Sequence, residues 1–510
     1  MRAANRWTIL AVLSAALALV SLDNTIVNVA LPRLQEDLGA TTSQLQWVVD
    51  AYSVLFAGTL LLAGVLGDRF GRRRMLVIGL IVFIVASTLA ALAPDAMVLT
   101  AARGLMGIGG AFIMPSTLSI LVQVFTEPQE RARAIGMWAA VAGVGVAIGP
   151  ILGGFLLEHF SWHSVFLVNP PISIVVLVLV LLLVPESADP GRPRLDLIGA
   201  ALSSIGLIAL VFTIIELPEA GIDTATIVST LLTVLLLGGF VWWEQRVERP
   251  LLPMSLFRQR LFSTAIIVVA LVYFALMGAM FFLPQFLQLV QGMTPLQSGL
   301  AILPGALGLL IASVLSPRLA ERWGARRTIV TGLVVVTLAL IAMSTLAPHT
   351  AYPFTGITLG CVGLGLGLAL PQATNGVLAS VPRERAGMGS AVNDMMSELG
   401  GSFGVAILGA VLSVFYRQHI EEAITAAGDA ITAVPDAAVA AARESLAAAS
   451  LAAGRFDPAS ADVAEVYRTV VGQAFVSGMT WALLIGALFS AIGVVIAWRR
   501  FPVHVERAEE

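Results

Sequence analysis

Five charged side chains in this sequence stand where a charge is expensive. Asp23, Arg103, Asp394 and Glu398 lie inside long apolar runs, and Asp50 lies close to the end of another. Ionisable groups at membrane depth are costly and mark function by default. Counted from the nearer end of its run, Asp23 is about 8 residues in, Arg103 about 6 and Asp50 about 5, or ~12, ~9 and ~8 Å at the helical rise. The three can share one layer. Arg103 would keep a neighbouring carboxylate ionised until a substrate or a movement separates them, which suits proton coupling. Asp394 and Glu398 are four residues apart and share a helix face, with Asn393 and Ser402 prolonging a polar stripe. Two carboxylates held together at low dielectric resist joint ionisation, so this pair suits a carried proton or a bound organic cation. Glu216 is a further acid near the edge of a run.

Softer side chains could complete a pocket around these charges. Tyr273, Phe274, Met277, Met280, Phe281 and Phe282 fall in one run, and Met114, Met137, Trp138 and Met395 in others. Methionine and aromatic rings make adaptable apolar surfaces with some affinity for cations. Gln285, Gln288, Gln372 and Asn375 are candidate polar contacts. No metal and no cofactor is expected. Cys361 is the one cysteine, and of the 5 histidines only His159 and His163 form a close pair, beside Ser161 and Trp162 at a membrane edge.

Only helices in lipid could hold such residues. The 510 residues are 58% hydrophobic and 12% charged, with mean hydropathy +0.92. Soluble proteins carry about 25% charged residues, so a string of soluble domains is excluded. The net charge of −3 leaves no basic footprint for nucleic acid. Apolar runs mark fourteen spans, near 8–31, 45–66, 75–93, 97–125, 132–156, 163–184, 197–216, 222–243, 262–289, 299–316, 328–347, 353–379, 388–416 and 470–498. The basic stretch Met1 to Trp7 enters the first run without a small-residue cleavage site, and reads as the start of a retained span. All 29 basic residues are arginine. With the amino terminus inside, 23 fall in cytoplasmic segments and 5 outside, so both termini are expected in the cytoplasm.

The chain also repeats itself. Asp68, Arg69, Gly71 and Arg73 return as Glu321, Arg322, Gly324 and Arg326 at an offset of 253, and Pro128, Glu130 and Arg131 as Pro382, Glu384 and Arg385 at 254. Two parallel six-helix bundles follow, with a helix pair inserted between them, and such halves around a central site are a transporter layout. The expected divisions are an amino-terminal bundle over 1–186, the inserted pair over 187–258 and spans nine to thirteen over 259–416. An outer loop over 417–469, folded as a helical hairpin, and the last span with its tail over 470–510 complete the chain.

Four stretches carry a family resemblance. Gly64, Gly67, Asp68, Arg69, Phe70, Gly71, Arg72, Arg73 and Arg74 resemble the signature loop between spans two and three of the major facilitator superfamily. Leu22 to Pro32 is similar to span one of its fourteen-span drug:proton antiporter branch, the EmrB/QacA type. Gly145, Gly149, Pro150, Gly153 and Gly154 resemble the antiporter motif of span five, and Arg103 to Gly110 the buried-arginine motif of span four. The second copy of the loop departs from the pattern, with Ala325 in place of Arg72.

The resemblance implies an all-α polytopic membrane protein of fourteen spans in the inner membrane of a bacterium, exporting lipophilic, mostly cationic drugs in exchange for protons, with a monomer expected. Asp23, Asp50, Arg103 and Asp394 would couple protons. Asp394, Glu398, Asn393, Tyr273, Phe274, Met277, Met114, Trp138, Gln372 and Asn375 would receive substrate. The loop 67–74 would be a conformational latch, because a tight glycine turn there sets Asp68 against arginines at helix ends, and the glycines of span five would seal the cavity on one side. A dedicated exporter of an endogenous antibiotic, lipid or siderophore would use the same motifs. A membrane-bound transferase would need a clustered His with Asp or Glu, and only His159 and His163 come near it. ATP-driven transport by this chain is excluded, because a phosphate-binding loop needs a lysine and there is none.

Overall fold

The computed structural model describes residues 5–187, 196–220, 223–247, 250, 252, 254–381, 386–427, 434–454, 456 and 461–503. Among them there is helix and no strand. The first six long helices are α1 (Arg6–Leu38), α2 (Thr42–Phe70), α3 (Arg72–Ala91), α4 (Ala96–Val124), α5 (Pro128–His159) and α6 (His163–Leu183). Then come α7 (Leu197–Ala220) and α8 (Thr224–Glu244). The last six are α9 (Arg260–Val290), α10 (Pro295–Trp323), α11 (Ala325–Met343), α12 (Tyr352–Ala379), α13 (Ala386–Ala427) and α14 (Ala461–Arg500). By length and composition, 12 stretches of described residues qualify to cross a membrane. The other two long helices, α2 and α5, have 29 and 32 residues and pack along α4 and α1.

Local chemistry sets the helix ends. Thr41 and Thr294 make capping boxes with Gln44 and Gln297, and Asp95 caps the Val98 amide. The two arginine loops turn on glycines in the left-handed region, Gly71 at φ 114° and Gly324 at φ 85°, a conformation other residues resist. These glycines are repeat equivalents, and the chain closes over both in the same way. Arg72 N–H donates to the Ser187 carbonyl at 2.8 Å, and Ala325 N–H donates to the Val503 carbonyl at 2.9 Å.

The repeat extends to packing. The tight pairs α1–α5, α2–α4 and α3–α4 recur as α9–α13, α10–α12 and α11–α12. Small residues make this closeness possible. A side chain at Gly145 would strike the Ala18 carbonyl, one at Gly404 the Phe274 carbonyl, and one at Gly363 the Gly305 carbonyl. The inserted α7 lies outside the seam between α2 and α13. There Trp47 Nε1 donates to Glu216 at 3.2 Å, and Ser204 Oγ donates to the Gly58 carbonyl.

An even number of antiparallel helices puts both chain ends at one end of the bundle, the terminal face. At the opposite, cap face α13 continues to Ala427 and α14 begins at Ala461, so several turns expected as loop prolong the two helices. Between them two short helices, Asp436–Glu444 and Leu446–Ala453, lie over the bundle. Tyr416 and Tyr467 donate to the Ala442 and Ala438 carbonyls at 2.8 and 2.7 Å, and Gln35 donates to Ser445 at 2.8 Å.

Candidate functional site

Asp23 and Arg103 find each other. α1 and α4 bring Arg103 Nη1 to 2.5 Å from Asp23 Oδ2, with both side chains fully buried. Water cannot help either charge there, so neighbours must. Asn169, at the break in α6, donates to Asp23 Oδ1 at 2.7 Å and is placed by Ser87 at 3.2 Å, which in turn donates to the Phe166 carbonyl. Arg103 Nε donates to the Val48 carbonyl at 3.1 Å, and its guanidinium lies over the Tyr52 ring at 4.6 Å. Its Nη2 is buried with no hydrogen-bond partner among the described residues. Removing one member of such a pair leaves an uncompensated buried charge, at about 3–5 kcal/mol.

One turn-phase away on α1 the environment changes. Ser21, Asn24, Thr25 and Asn28 share a face and border a central cavity of about 660 Å³ between the two halves. Asp50 and Ser53 of α2, Met114 and Trp138 complete the first-half wall. Tyr273 and Met277 of α9, Ser313 of α10, Thr374 of α12 and Asn393, Ser397 and Glu398 of α13 supply the other. Most of the lining surface is apolar, with a few convergent polar groups, as in small-molecule sites. Asp50 is only 1% exposed, and neither carboxylate oxygen has a hydrogen-bond partner among the described residues. Ser402 faces it without closing a hydrogen bond. Glu398 faces Ser53 and Asn24 across the seam, with Asp394 behind it. The cavity thus holds two acids from opposite halves.

The candidates named from the sequence divide accordingly. Asp50, Asn393, Glu398, Tyr273, Met277, Met114 and Trp138 border the cavity. Asp394 stands behind that wall, accepts from Asn393 at 3.2 Å and faces Tyr273. Asp23 and Arg103 form their own closed pair beside the cavity. Phe274 is buried against Phe489 at 4.5 Å, Gln372 donates to Ser316 at 3.1 Å, and Asn375 is exposed. These three are turned away from the cavity by helical phase. On α12 it is Thr374, one residue from Asn375, that reaches it. Asn169, Asn24 and Ser53 were not singled out as site residues. The signal for Asn24 was present in the spacing 21, 24, 25, 28. Nothing local marked Asn169, which meets Asp23 from 146 residues away.

Around Gly67 and Gly71 the described contacts stay within the first half. Arg72 Nη1 donates to the Ser119 carbonyl at 3.4 Å and Arg73 Nη2 to Leu181 at 2.6 Å. Glu186 lies over Gly71, accepts from the Arg73 amide at 3.1 Å and sits 3.7 Å from Arg74. Arg69 lies over the Phe70 ring at 5.4 Å, and a side chain at Gly64 would meet open space. The Asp68 side chain, like residues 382–385 of the second repeat, lies outside the described residues.

The span-five motif meets two partners. Gly149 and Gly153 press on Thr25 and Ile26 of α1, whereas Gly154 presses on Pro295 and Leu296 of α10 in the other half. Gly299 of α10 packs on the Pro150 carbonyl, Gln288 donates to the Val29 carbonyl at 3.3 Å, and a side chain at Gly409 would strike the Gln46 amide. These contacts between halves lie toward the cap face. The cavity lining runs the other way, to Pro317 and Thr374 near the terminal ends of α10 and α12. Toward the cap face the two halves are in direct contact.

Known proteins share this layout. A bacterial homologue of the human lysosomal transporter Spinster, in an inward-facing and occupied conformation, superposes with TM-score 0.66 at 17% identity over 97% of each chain, a likeness of fold. The multidrug efflux pump LfrA of Mycolicibacterium smegmatis is 38% identical over 81% of this chain and 82% of its own. The multidrug resistance protein Stp of Mycobacterium tuberculosis is 38% identical over 82% and 79%. Residues 13–405 match the Major Facilitator Superfamily, and on that match and those relatives the chain belongs to this family of membrane transporters.

Proposed function

We propose that this chain is a proton-driven exporter of lipophilic, mostly cationic drugs. The observation that carries the reading is the pair Asp50 and Glu398, two acids from opposite halves in one largely apolar cavity, beside a separate buried pair, Asp23 and Arg103. The efflux and resistance proteins among its relatives support the same reading. The arginine distribution assigns the terminal face to the cytoplasm, so the cavity opens inward in the cytoplasmic membrane of a bacterium, with both termini inside and a monomer sufficient.

The cycle follows from charge. A lipophilic cation enters the cavity and settles against Glu398 and Asp50, while Asp23 holds Arg103 away from them. A proton arriving from outside neutralises Asp23. Arg103, already one hydrogen bond short at Nη2, then turns its field through Tyr52 toward Glu398. Cation and guanidinium now compete for the same acids, and the cation leaves once the seam at Gly154 and Gly299 opens. Return of the proton to the cytoplasm restores the first pair. Asp394 positions Tyr273 and Glu398, and the loop 67–74 with Glu186 governs the exchange of states.

Binding of a fluorescent lipophilic cation to the purified protein tests the cation site. Saturable binding that weakens in both Glu398→Gln and Asp50→Asn is expected. Unchanged affinity in both variants would remove the acids from the substrate site.

A further inference from the structure

The central cavity has a side branch. A void of about 70 Å³ adjoins it and shares Thr25, Asn28, Met277 and Leu309 with it. Beyond that junction the wall is apolar and includes Met280, Pro284, Ile302, Ala306, Val362 and Leu366. Thr25 and Asn28 are the only polar residues of the described lining, and their donors turn back onto the α1 backbone, to Leu22 at 3.2 Å and Asn24 at 3.2 Å. An apolar void without free polar groups stays dry and takes apolar guests.

Two walls of the branch are fixed in place. A side chain at Gly363 would strike the Gly305 carbonyl and one at Gly299 the Pro150 carbonyl, so backbone meets backbone on two walls. The second of these contacts joins α5 to α10, so the branch lies where the halves meet and comes apart when they part.

We propose that this branch is the receptor for the apolar arm of the transported cation, and that the protein selects amphiphilic cations by arm length. The inference rests on the reading of the cavity as a cation site. The cationic head lies with Asp50 and Glu398 in the wide chamber, and the arm passes between Met277 and Leu309 into the slot. Each methylene that enters strengthens binding about fourfold, until the slot is full. Further length meets a packed wall and brings no gain. Opening the seam at Pro150 and Gly299 dismantles the slot and frees the arm as the acids release the head.

The test is a series of n-alkyltrimethylammonium ions, lengthened one methylene at a time. Their binding is measured on the purified full chain in one detergent, as wild type, Ala306→Leu and Met280→Ala. Micelle partition cancels in the ratio of variant to wild type. Short ions are expected to bind all three alike. Long ions are expected to lose about tenfold or more in Ala306→Leu, which fills the slot. In Met280→Ala, which enlarges it, the length at which affinity stops rising is expected to increase. A ratio independent of chain length in both variants overturns the proposal, and so does an equal loss for short and long ions in both. Absence of saturable binding of every ion to the wild type overturns the underlying cation-site reading instead.

Discussion

Asp23 and Arg103 have no solvent to share their charges, so each depends on the other and on Asn169. Asp23→Asn is expected to abolish energised efflux, because the amide carries no proton, and to destabilise the protein by about 3–5 kcal/mol, because Arg103 stays charged and unpaired. Adding Arg103→Met is expected to restore most of that stability and none of the transport, as read by denaturant unfolding and vesicle efflux. Full efflux from a normally expressed Asp23→Asn protein would take Asp23 out of the mechanism. On the proposed reading, the acids of the cavity would separate cargo by charge. At ~5 Å and an effective dielectric near 20 one charge pair is worth roughly 3 kcal/mol, or about 100-fold. Neutralising Asp50 or Glu398 should therefore weaken dications more than monocations and leave neutral compounds nearly unaffected. Equal transport of all three classes at wild-type rates would reduce the acids to a wetted mouth. The sequence made these charges legible through their cost in an apolar run. It did not show the partners, since Asn169 arrives from a distant helix and a single step of helical phase separates Thr374 from Asn375.

At the scale of elements, we propose that the glycine face of α5 and the Glu186 contact over Gly71 control movement rather than binding. Gly154→Leu should wedge α5 from α10 at the cap face, lowering turnover for every cargo and raising proton leak into vesicles. Normal turnover without leak would make that contact simple packing. Glu186→Gln removes the acid that gathers the Arg73 amide and Arg74. Turnover should fall alike for all substrates with apparent affinities unchanged, whereas a change confined to one drug's affinity would place the loop at the pocket. The helices themselves were readable as apolar runs: among the described residues each long helix overlaps an expected run, and 12 stretches qualify to cross a membrane. The far ends of α13 and α14 were not, because their last turns beyond the apolar stretch are alanine-rich and charged and carry no hydropathy signal. Glu186 carries no local signal, because it lies over the loop only through the return of the chain after α6.

At the scale of the whole molecule, two repeated halves meet through glycines toward the cap face and part around a cavity toward the terminal face. The repeat was legible in the paired loops 68–74 and 321–327, where a tight turn constrains residue types. Which end stands open was not legible, because it depends on contacts between halves that no local pattern records. The apolar branch was equally hidden, because its wall is assembled from α1, α5, α9, α10 and α12. We propose that a proton gradient does the work of export through Asp23. The most direct measurement is uptake of a fluorescent cationic dye into everted vesicles or liposomes carrying the purified chain, with an acidic lumen imposed and then collapsed. The expected result is dye accumulation that needs the gradient, stops on its collapse and is absent from Asp23→Asn. Accumulation at the same rate with and without the gradient, or unchanged in Asp23→Asn, would contradict it.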